Sequence, residues 1–245
     1  MKNYNLTFII SFFLSILFSC NNNSPELAES SDNIINEKIA VTQENRFELP
    51  QAGAMIPPVP AIVLGVKGDS TLEDDITIVW TFVLEGSPAL IGISVPNNSA
   101  ITGDTYVGLE LLKKHGEFTL NVPDESWVTE FDNIDMTASS RTDKFAANGL
   151  TRLPSKLIDA PGIAEAAIVL ECKILQMHAL PPQRTVFFAE VVRTSVHPGV
   201  TDENGRLIAK SREFFGMTAG NGEFWTFGRK VGNIGKTIKR KDIRY

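Results

Sequence analysis

The chain has 245 residues, of which 43% are hydrophobic and 21% are charged, and these proportions are typical of a globular protein. Its formal net charge of −6 argues against a nucleic acid as partner, because binding to phosphates needs a basic surface. Its two cysteines, Cys20 and Cys172, are too few for a framework of several disulfides.

The first 20 residues have the pattern of an export signal. Lys2 is the single charged residue before Cys20, and residues 6–18 form an apolar run interrupted only by threonine and serine. The run is too short for a membrane-spanning helix, which needs about 20 apolar residues, and it suits a secretory leader. It ends at Leu17-Phe18-Ser19-Cys20, which resembles the lipobox of bacterial lipoproteins. We therefore expect residues 1–19 to be removed and Cys20 to be lipidated; a plain leader with an incidental cysteine is the alternative.

The segment after the cysteine differs in composition from the rest of the chain. Residues 20–48 are polar and rich in Asn, Ser and Glu, so we expect a flexible tether there and one domain over residues 49–245. The lipid on Cys20 would be the only attachment to a membrane. Because Asn21 rather than Asp follows the cysteine, the sorting rule for such lipoproteins implies the outer membrane, with the face left open.

From residue 57 onward the hydrophobic pattern favours β-strands. Short apolar runs rich in β-branched residues predict strands over residues 61–66, 76–84, 90–95, 118–122, 166–177 and 185–196. A turn at residues 85–88 predicts a hairpin between the second and third of these strands. Helical patterns cover residues 106–115 and 124–131, and Gly116 is the predicted stop signal of the first helix. Because strands outnumber helices, we expect a mainly β fold, an antiparallel barrel with a few covering helices.

Common catalytic and metal-binding motifs do not fit this sequence. The three histidines share no ligand spacing, so a metal site is not expected, and His115 is interpreted as a cation at a helix C-terminus. Gly235-Lys236-Thr237 resembles the end of a P-loop, but Lys230 stands where the first glycine is required. Cys172 lies in an apolar strand and is interpreted as a core residue rather than a reactive thiol.

Several stretches carry a family resemblance through their order and spacing. They are residues 76–81, 90–95, 110–123, 139–141, 143–145, 170–173, 187–191 and 222–225. Together they resemble the flavin reductase-like family that includes flavoredoxin, over residues 57 to 239. The resemblance implies a split β-barrel that binds FMN at a homodimer interface. It also implies an oxidoreductase or electron-transfer function, with the electron donor and acceptor left open.

The resemblance places one segment along the flavin ring. Asp74, Thr77, Val79, Trp80 and Thr81 would contact the cofactor. On a continuous strand Thr77, Val79 and Thr81 share one face, and Trp80 points to the other. Packing in a core or an interface is the alternative role for Trp80.

The same resemblance assigns five further residues to the cofactor. Thr105 would donate to the FMN phosphate, or alternatively cap the helix that follows it. Lys144 matches the lysine of an Asp-Lys-Phe motif that approaches the cofactor, and Arg141 would supply additional charge; a solvated surface cluster is the alternative for both. Arg184 stands where relatives often have histidine near the flavin. Phe215 matches an aromatic residue that covers the ring, with plain packing as its alternative.

A second hypothesis keeps the barrel and removes the flavin. Relatives usually have asparagine and serine at the positions of Asp74 and Val79, and a basic residue in the phosphate loop, here residues 96–105, which contains none. The position of Arg184 differs as well. These departures are compatible with an exported binding or interaction module that has lost its cofactor.

Overall fold

The computed structural model describes residue 46 and residues 48–180, 182–218 and 221–234. All the elements below lie in one unit that begins at Ala52. The predicted leader, the lipidation site Cys20 and nearly all of the predicted tether lie outside the described residues.

Twelve strands and three α-helices are found in the described residues. The strands are β1 (Val59–Pro60), β2 (Val63–Val66), β3 (Asp75–Ile78), β4 (Trp80–Gly86), β5 (Ala89–Pro96), β6 (Glu117–Val122), β7 (Arg152–Leu153), β8 (Gly162–Ile163), β9 (Ile168–Leu180), β10 (Arg184–Val196), β11 (Phe215–Met217) and β12 (Phe224–Thr226). The helices are α1 (Val107–His115), α2 (Val128–Met136) and α3 (Lys144–Ala147).

The main sheet has seven strands in the order β3-β2-β6-β9-β10-β5-β4, and each neighbouring pair is antiparallel. The mainly β, antiparallel fold predicted from the sequence is therefore confirmed. The hairpin between β4 and β5 and the two long strands β9 and β10 also lie where the apolar runs predicted them.

The prediction of one continuous strand over residues 76–84 is wrong, because the structure divides this run at Val79. β3 and β4, on either side of Val79, occupy the opposite edges of the seven-stranded sheet. The backbone N–H of Val79 donates to the carbonyl of Ile62 at 3.3 Å, and its side chain is buried in the core. The chain thus passes from one edge to the other, and an apolar run gives no signal of such a transfer because the residue between the strands is also buried.

Two hydrophobic clusters account for most of the core. The larger lies between the seven-stranded sheet and α1, and it contains the fully buried Cys172, as predicted for a core thiol. The smaller gathers Phe131 of α2, Phe145 of α3 and Phe215 of β11. Helix α1 ends at Gly116, whose positive φ of 68° allows its N–H to donate to the carbonyl of Leu112.

The helix predicted over residues 124–131 is present but extends further. A 3₁₀ turn over Glu125–Trp127 leads directly into α2, which continues to Met136. Asp124 begins the turn by accepting a hydrogen bond from the N–H of Ser126 at 3.1 Å.

Among the described residues, no helix combines the length and the hydrophobicity needed to cross a bilayer. Within the same part of the chain, no group of three or more histidine, cysteine, aspartate or glutamate side chains is arranged to hold a metal ion.

Candidate functional site

A cavity of about 230 Å³ lies where the loop after β5, the start of α1, the end of α2 and the start of α3 meet. Its lining residues are Pro96, Ser99, Ala100, Ile101, Thr102, Thr105, Tyr106, Val107, Asp135, Thr137, Ala138, Ser139, Ser140, Lys144 and Arg184. Hydroxyl groups and two cations therefore dominate the polar part of the wall. Three of the residues predicted from the sequence, Thr105, Lys144 and Arg184, are brought together here.

Lys144 forms a buried ion pair with Asp75 beside this cavity. Its Nζ lies 4.0 Å from Oδ1 of Asp75, and each side chain is only 2% exposed. Neither carboxylate oxygen of Asp75 has a hydrogen-bond partner among the described residues. Burial raises the pKa of Asp75 and lowers the pKa of Lys144, while the opposite charge of each partner counteracts the shift of the other. The buried negative charge of Asp75 is therefore unfavourable by itself, and Lys144, which balances it, also faces the cavity.

Tyr106 connects α1 to β3. It is the N-cap residue of α1, and its phenol oxygen is hydrogen-bonded to the hydroxyl of Thr77. Burial raises the pKa of Tyr106, and the carboxylates of Asp75 and Asp135 raise it further against the opposing charge of Arg184. Tyr106 thus stays a neutral phenol, and Thr77, which does not line the cavity, is connected to it only through this hydrogen bond.

The start of α1 is directed at the cavity. Tyr106 and Val107 both line it, and no side chain caps the helix. The proposal that Thr105 is the helix cap is therefore wrong, and its hydroxyl remains available to the cavity. Because the first backbone N–H groups of a helix lack intrahelical partners, this end of α1 favours an anion.

The loop of residues 96–105 is held in a fixed turn by its own hydrogen bonds. The N–H of Ser99 donates to the carbonyl of Asp104 at 2.8 Å, and the Ser99 hydroxyl oxygen accepts from the N–H groups of Ile101 and Thr102. The N–H of Asn97 donates to the carbonyl of Gln183. The hydroxyl groups that line the cavity therefore sit on an ordered wall.

Arg184 closes another side of the cavity and is held by Ser94 and Trp80. Its Nε and Nη2 donate to the hydroxyl and the carbonyl oxygen of Ser94 at 2.8 and 2.6 Å. Its guanidinium carbon lies 4.4 Å from the centroid of the Trp80 ring, which is a cation–π arrangement. Trp80 itself is 48% exposed, so it lies on the outer face and not in a closed core.

Asp74 does not line this cavity and is occupied by other partners. Its carboxylate accepts from the backbone N–H of Gly68 at 2.9 Å and pairs with Lys67 at 3.0 Å and Arg152 at 3.2 Å. These bonds hold the pKa of Asp74 below its ordinary value although partial burial, the largest single influence, acts in the opposite direction.

Five other predicted residues do not line this cavity. Val79 lies in the hydrophobic core, and Arg141 is exposed. Thr81 donates to the carbonyl of Gly92 at 3.0 Å and, with Phe215, lines a separate apolar cavity of about 390 Å³. Trp80 reaches the cavity only through Arg184.

Comparison with known proteins agrees with this architecture. The family model described as the flavin reductase like domain matches residues 57–218. The chain belongs to the flavin reductase-like family. Flavoredoxin of Desulfovibrio vulgaris (Miyazaki F) has a similar fold, with a TM-score of 0.69 and 20% identity over 78% of this chain and 99% of flavoredoxin. The fold is thus the split β-barrel of this family.

Two further relatives are similar over part of the chain. An FMN-binding protein from Thermus thermophilus, solved with bound 1-cyclohex-2-enone, has a TM-score of 0.60 and 19% identity, covering 77% of this chain and 96% of its own. An uncharacterised protein of Halalkalibacterium halodurans is 29% identical over 129 residues. That match covers 50% of this chain and 57% of the relative, so the chain spans little more than half the length of this curated relative.

Asp75 and Tyr106 belong to the site but are not among the site residues predicted from the sequence. The helical pattern over residues 106–115 includes Tyr106 only as a helix residue, although a tyrosine at the start of a helix is also suited to a polar role at its N-terminus. Asp75 follows Asp74 directly, and two adjacent acidic residues at the start of an apolar strand were a usable signal, because one of them must face inward.

Proposed function

We propose that the protein is an FMN-binding flavoprotein of the flavin reductase-like type, acting as an oxidoreductase or electron-transfer protein. The observation that carries the proposal is the buried Lys144 at a cavity that also contains several hydroxyl groups and the start of α1. An ammonium group, hydroxyl donors and a helix N-terminus are the groups that bind a phosphate monoester. The FMN-binding relative from Thermus thermophilus supports the choice of FMN.

The size of the cavity suggests which part of FMN it would hold. Its volume of about 230 Å³ is below the roughly 300 Å³ at which pockets begin to enclose a whole small-molecule ligand. We therefore assign it to the phosphate end, with the ring extending towards the outer face near Trp80 and Arg184. There the bound flavin would supply electron transfer, and the protein would bind and orient it.

Flavin binding by the purified protein tests this proposal, with FMN, FAD and riboflavin as ligands. Lys144→Met should weaken FMN binding by about 1.5–3 kcal/mol, the magnitude of a charge-assisted hydrogen bond, which is roughly 10- to 150-fold in Kd. Riboflavin lacks the phosphate, so its Kd should change far less. Equal losses for both ligands would contradict a phosphate-binding role for Lys144.

The second candidate is a split-barrel binding module that has lost its flavin. It is favoured by Asp75, because this carboxylate already balances the charge of Lys144, and by Asp135 in the cavity wall. A purified protein that stays colourless after addition of FMN, with no measurable binding, would support this candidate over the first.

We also propose a homodimer, with the second copy against β4. This strand lies at an edge of the sheet, and Trp80, Phe82, Val83 and Leu84 are exposed along it, Val83 by 80%. An exposed apolar edge strand is prone to pair with another chain. Light scattering should report a dimer that Val83→Lys dissociates, and a monomeric native protein would refute the proposal.

The proposed attachment to a membrane rests on the sequence around Cys20. A lipidated Cys20 would anchor the protein in the cell envelope, at the outer membrane by the sorting rule for Asn21. Cys20→Ser should release the protein from the membrane fraction or leave the leader uncleaved, as judged by fractionation and intact mass. A Cys20→Ser protein that is processed normally and stays membrane-bound would contradict the proposal.

A further inference from the structure

Arg152 joins two acidic residues that precede the buried ion pair. Its Nε donates to Oδ2 of Asp74 at 3.2 Å, and its Nη2 donates to Oδ1 of Asp143 at 3.0 Å. Asp74 is followed immediately by Asp75, and Asp143 is followed immediately by Lys144. Arg152 thus joins, near the surface, the same two segments that the Asp75–Lys144 pair joins in the interior.

The contact with Asp143 bears directly on α3. Oδ1 of Asp143 accepts from the N–H groups of Phe145 and Ala146 at 3.0 and 3.3 Å, so this carboxylate caps the helix. The guanidinium carbon of Arg152 lies 4.4 Å from the centroid of the Phe145 ring, which is fully buried. One side chain therefore contacts both the cap and the second residue of α3, on either side of Lys144.

Helix α3 depends on the rest of the fold for its position, and Phe145 anchors it in the core. It spans four residues, and helices this short are not stable by themselves. Lys144 is its first residue, so a small rotation of α3 would move Nζ away from the cavity. The planar guanidinium can bond two carboxylates in a fixed relative geometry, which a lysine ammonium cannot do.

We propose that Arg152 is a positioning residue that holds Lys144 at the cavity by bridging Asp74 and Asp143. The inference rests on the proposed binding of a phosphate by Lys144, and it adds a residue that touches neither the cavity nor the ligand. Asp74, predicted from the sequence to contact the flavin, acts in this arrangement as one end of the bridge.

The first test measures flavin binding to the full chain. Arg152→Gln should raise the Kd for FMN by about tenfold and the Kd for riboflavin by less than twofold. In the Lys144→Met background, Arg152→Gln should produce no further loss of FMN affinity, because the group that it positions is gone. Arg212→Gln is the matched control, because this arginine is similarly exposed and faces Asp124 at 3.8 Å, and it should change neither Kd.

The second test needs no flavin. Lys144 is 2% exposed, so it should react slowly with an amine-directed reagent, and Arg152→Gln should accelerate its labelling at least fivefold, as measured by mass spectrometry. Asp143→Asn should have the same effect, because asparagine retains the cap but loses the charge that binds Arg152. The rate at Lys210, an exposed lysine, should stay constant. In a parallel reaction with iodoacetamide, the labelling rate of the buried Cys172 thiol should stay constant as well, because that thiol reports global opening.

These outcomes separate the inference from the proposed function. Unchanged labelling of Lys144 in Arg152→Gln, or faster labelling of Lys144 and Cys172 together, would overturn the positioning role. An equal loss of FMN and riboflavin affinity would overturn it as well. If the native protein binds neither flavin, the proposed function fails, and the labelling experiment alone then decides whether Arg152 positions Lys144.

Discussion

The buried pair of Asp75 and Lys144 should be strongly coupled in the protein without ligand. Two unit charges 4.0 Å apart attract by about 4 kcal/mol at an effective dielectric constant of 20. Lys144→Met leaves a buried carboxylate with no hydrogen-bond partner among the described residues, so it should reduce the free energy of unfolding by about 3–5 kcal/mol. Asp75→Asn leaves an ammonium that still faces the cavity, so its cost should be smaller.

A double-mutant cycle measures this coupling. The free energy of unfolding is measured by urea denaturation at pH 7 for the native protein, both single variants and the double variant. The loss in the double variant should be smaller than the sum of the two single losses by at least about 2 kcal/mol. Because the pair is buried, the coupling should persist in 1 M salt. The exposed pair Lys210–Glu213 is the control, with an expected coupling below about 1 kcal/mol that salt removes. Losses that add within about 0.5 kcal/mol would refute the coupling of Asp75 and Lys144.

Two further predictions concern the core. Gly65→Ala should destabilise the fold by about 1–3 kcal/mol in urea, because its Cβ would lie 2.5 Å from Oγ1 of Thr119 and 2.6 Å from the carbonyl oxygen of Pro161. Gly86→Ala, which meets nothing within 4 Å, is the control, and equal stability of the two variants would contradict the steric argument. Burial raises the pKa of Cys172 to about 12, so its thiol should resist iodoacetamide at pH 8.5 until the protein unfolds. Because the unfolded thiol ionises near its ordinary pKa of 9.0, the free energy of unfolding should fall as the pH rises above about 9. A thiol that reacts in the native protein as fast as in the unfolded protein would disprove that Cys172 is a buried core residue.

Features that depend on neighbours along the chain could be predicted from the sequence. The long strands β9 and β10 follow from uninterrupted β-branched and aromatic runs, and α1 follows from an apolar period that ends at Gly116. The family resemblance could also be recognised from the sequence, because it rests on the order and spacing of short stretches rather than on contacts. It selected Lys144, which lines the cavity in the structure and whose place at the start of α3 depends on the cap by the preceding Asp143.

Features that depend on residues far apart in sequence were decided only by the tertiary structure. The sequence predicts one face for Thr77, Val79 and Thr81, but the run crosses between the edges of the sheet at Val79, so the three residues have separate environments. The alternation of side chains describes a continuous strand and does not show where one apolar run divides into two strands at opposite edges of a sheet.

The partners of the charged residues were the other feature that the sequence left open. Asp74 resembled a flavin contact, yet it bonds Arg152 from 78 positions further along the chain, while Asp75 beside it faces Lys144. The alternation of a strand separates two adjacent carboxylates into different surroundings, but which one faces inward is determined by the register of β3 against β2. The pairing of charges across such distances is a property of the folded chain, because burial and distance together set the energy of each pair.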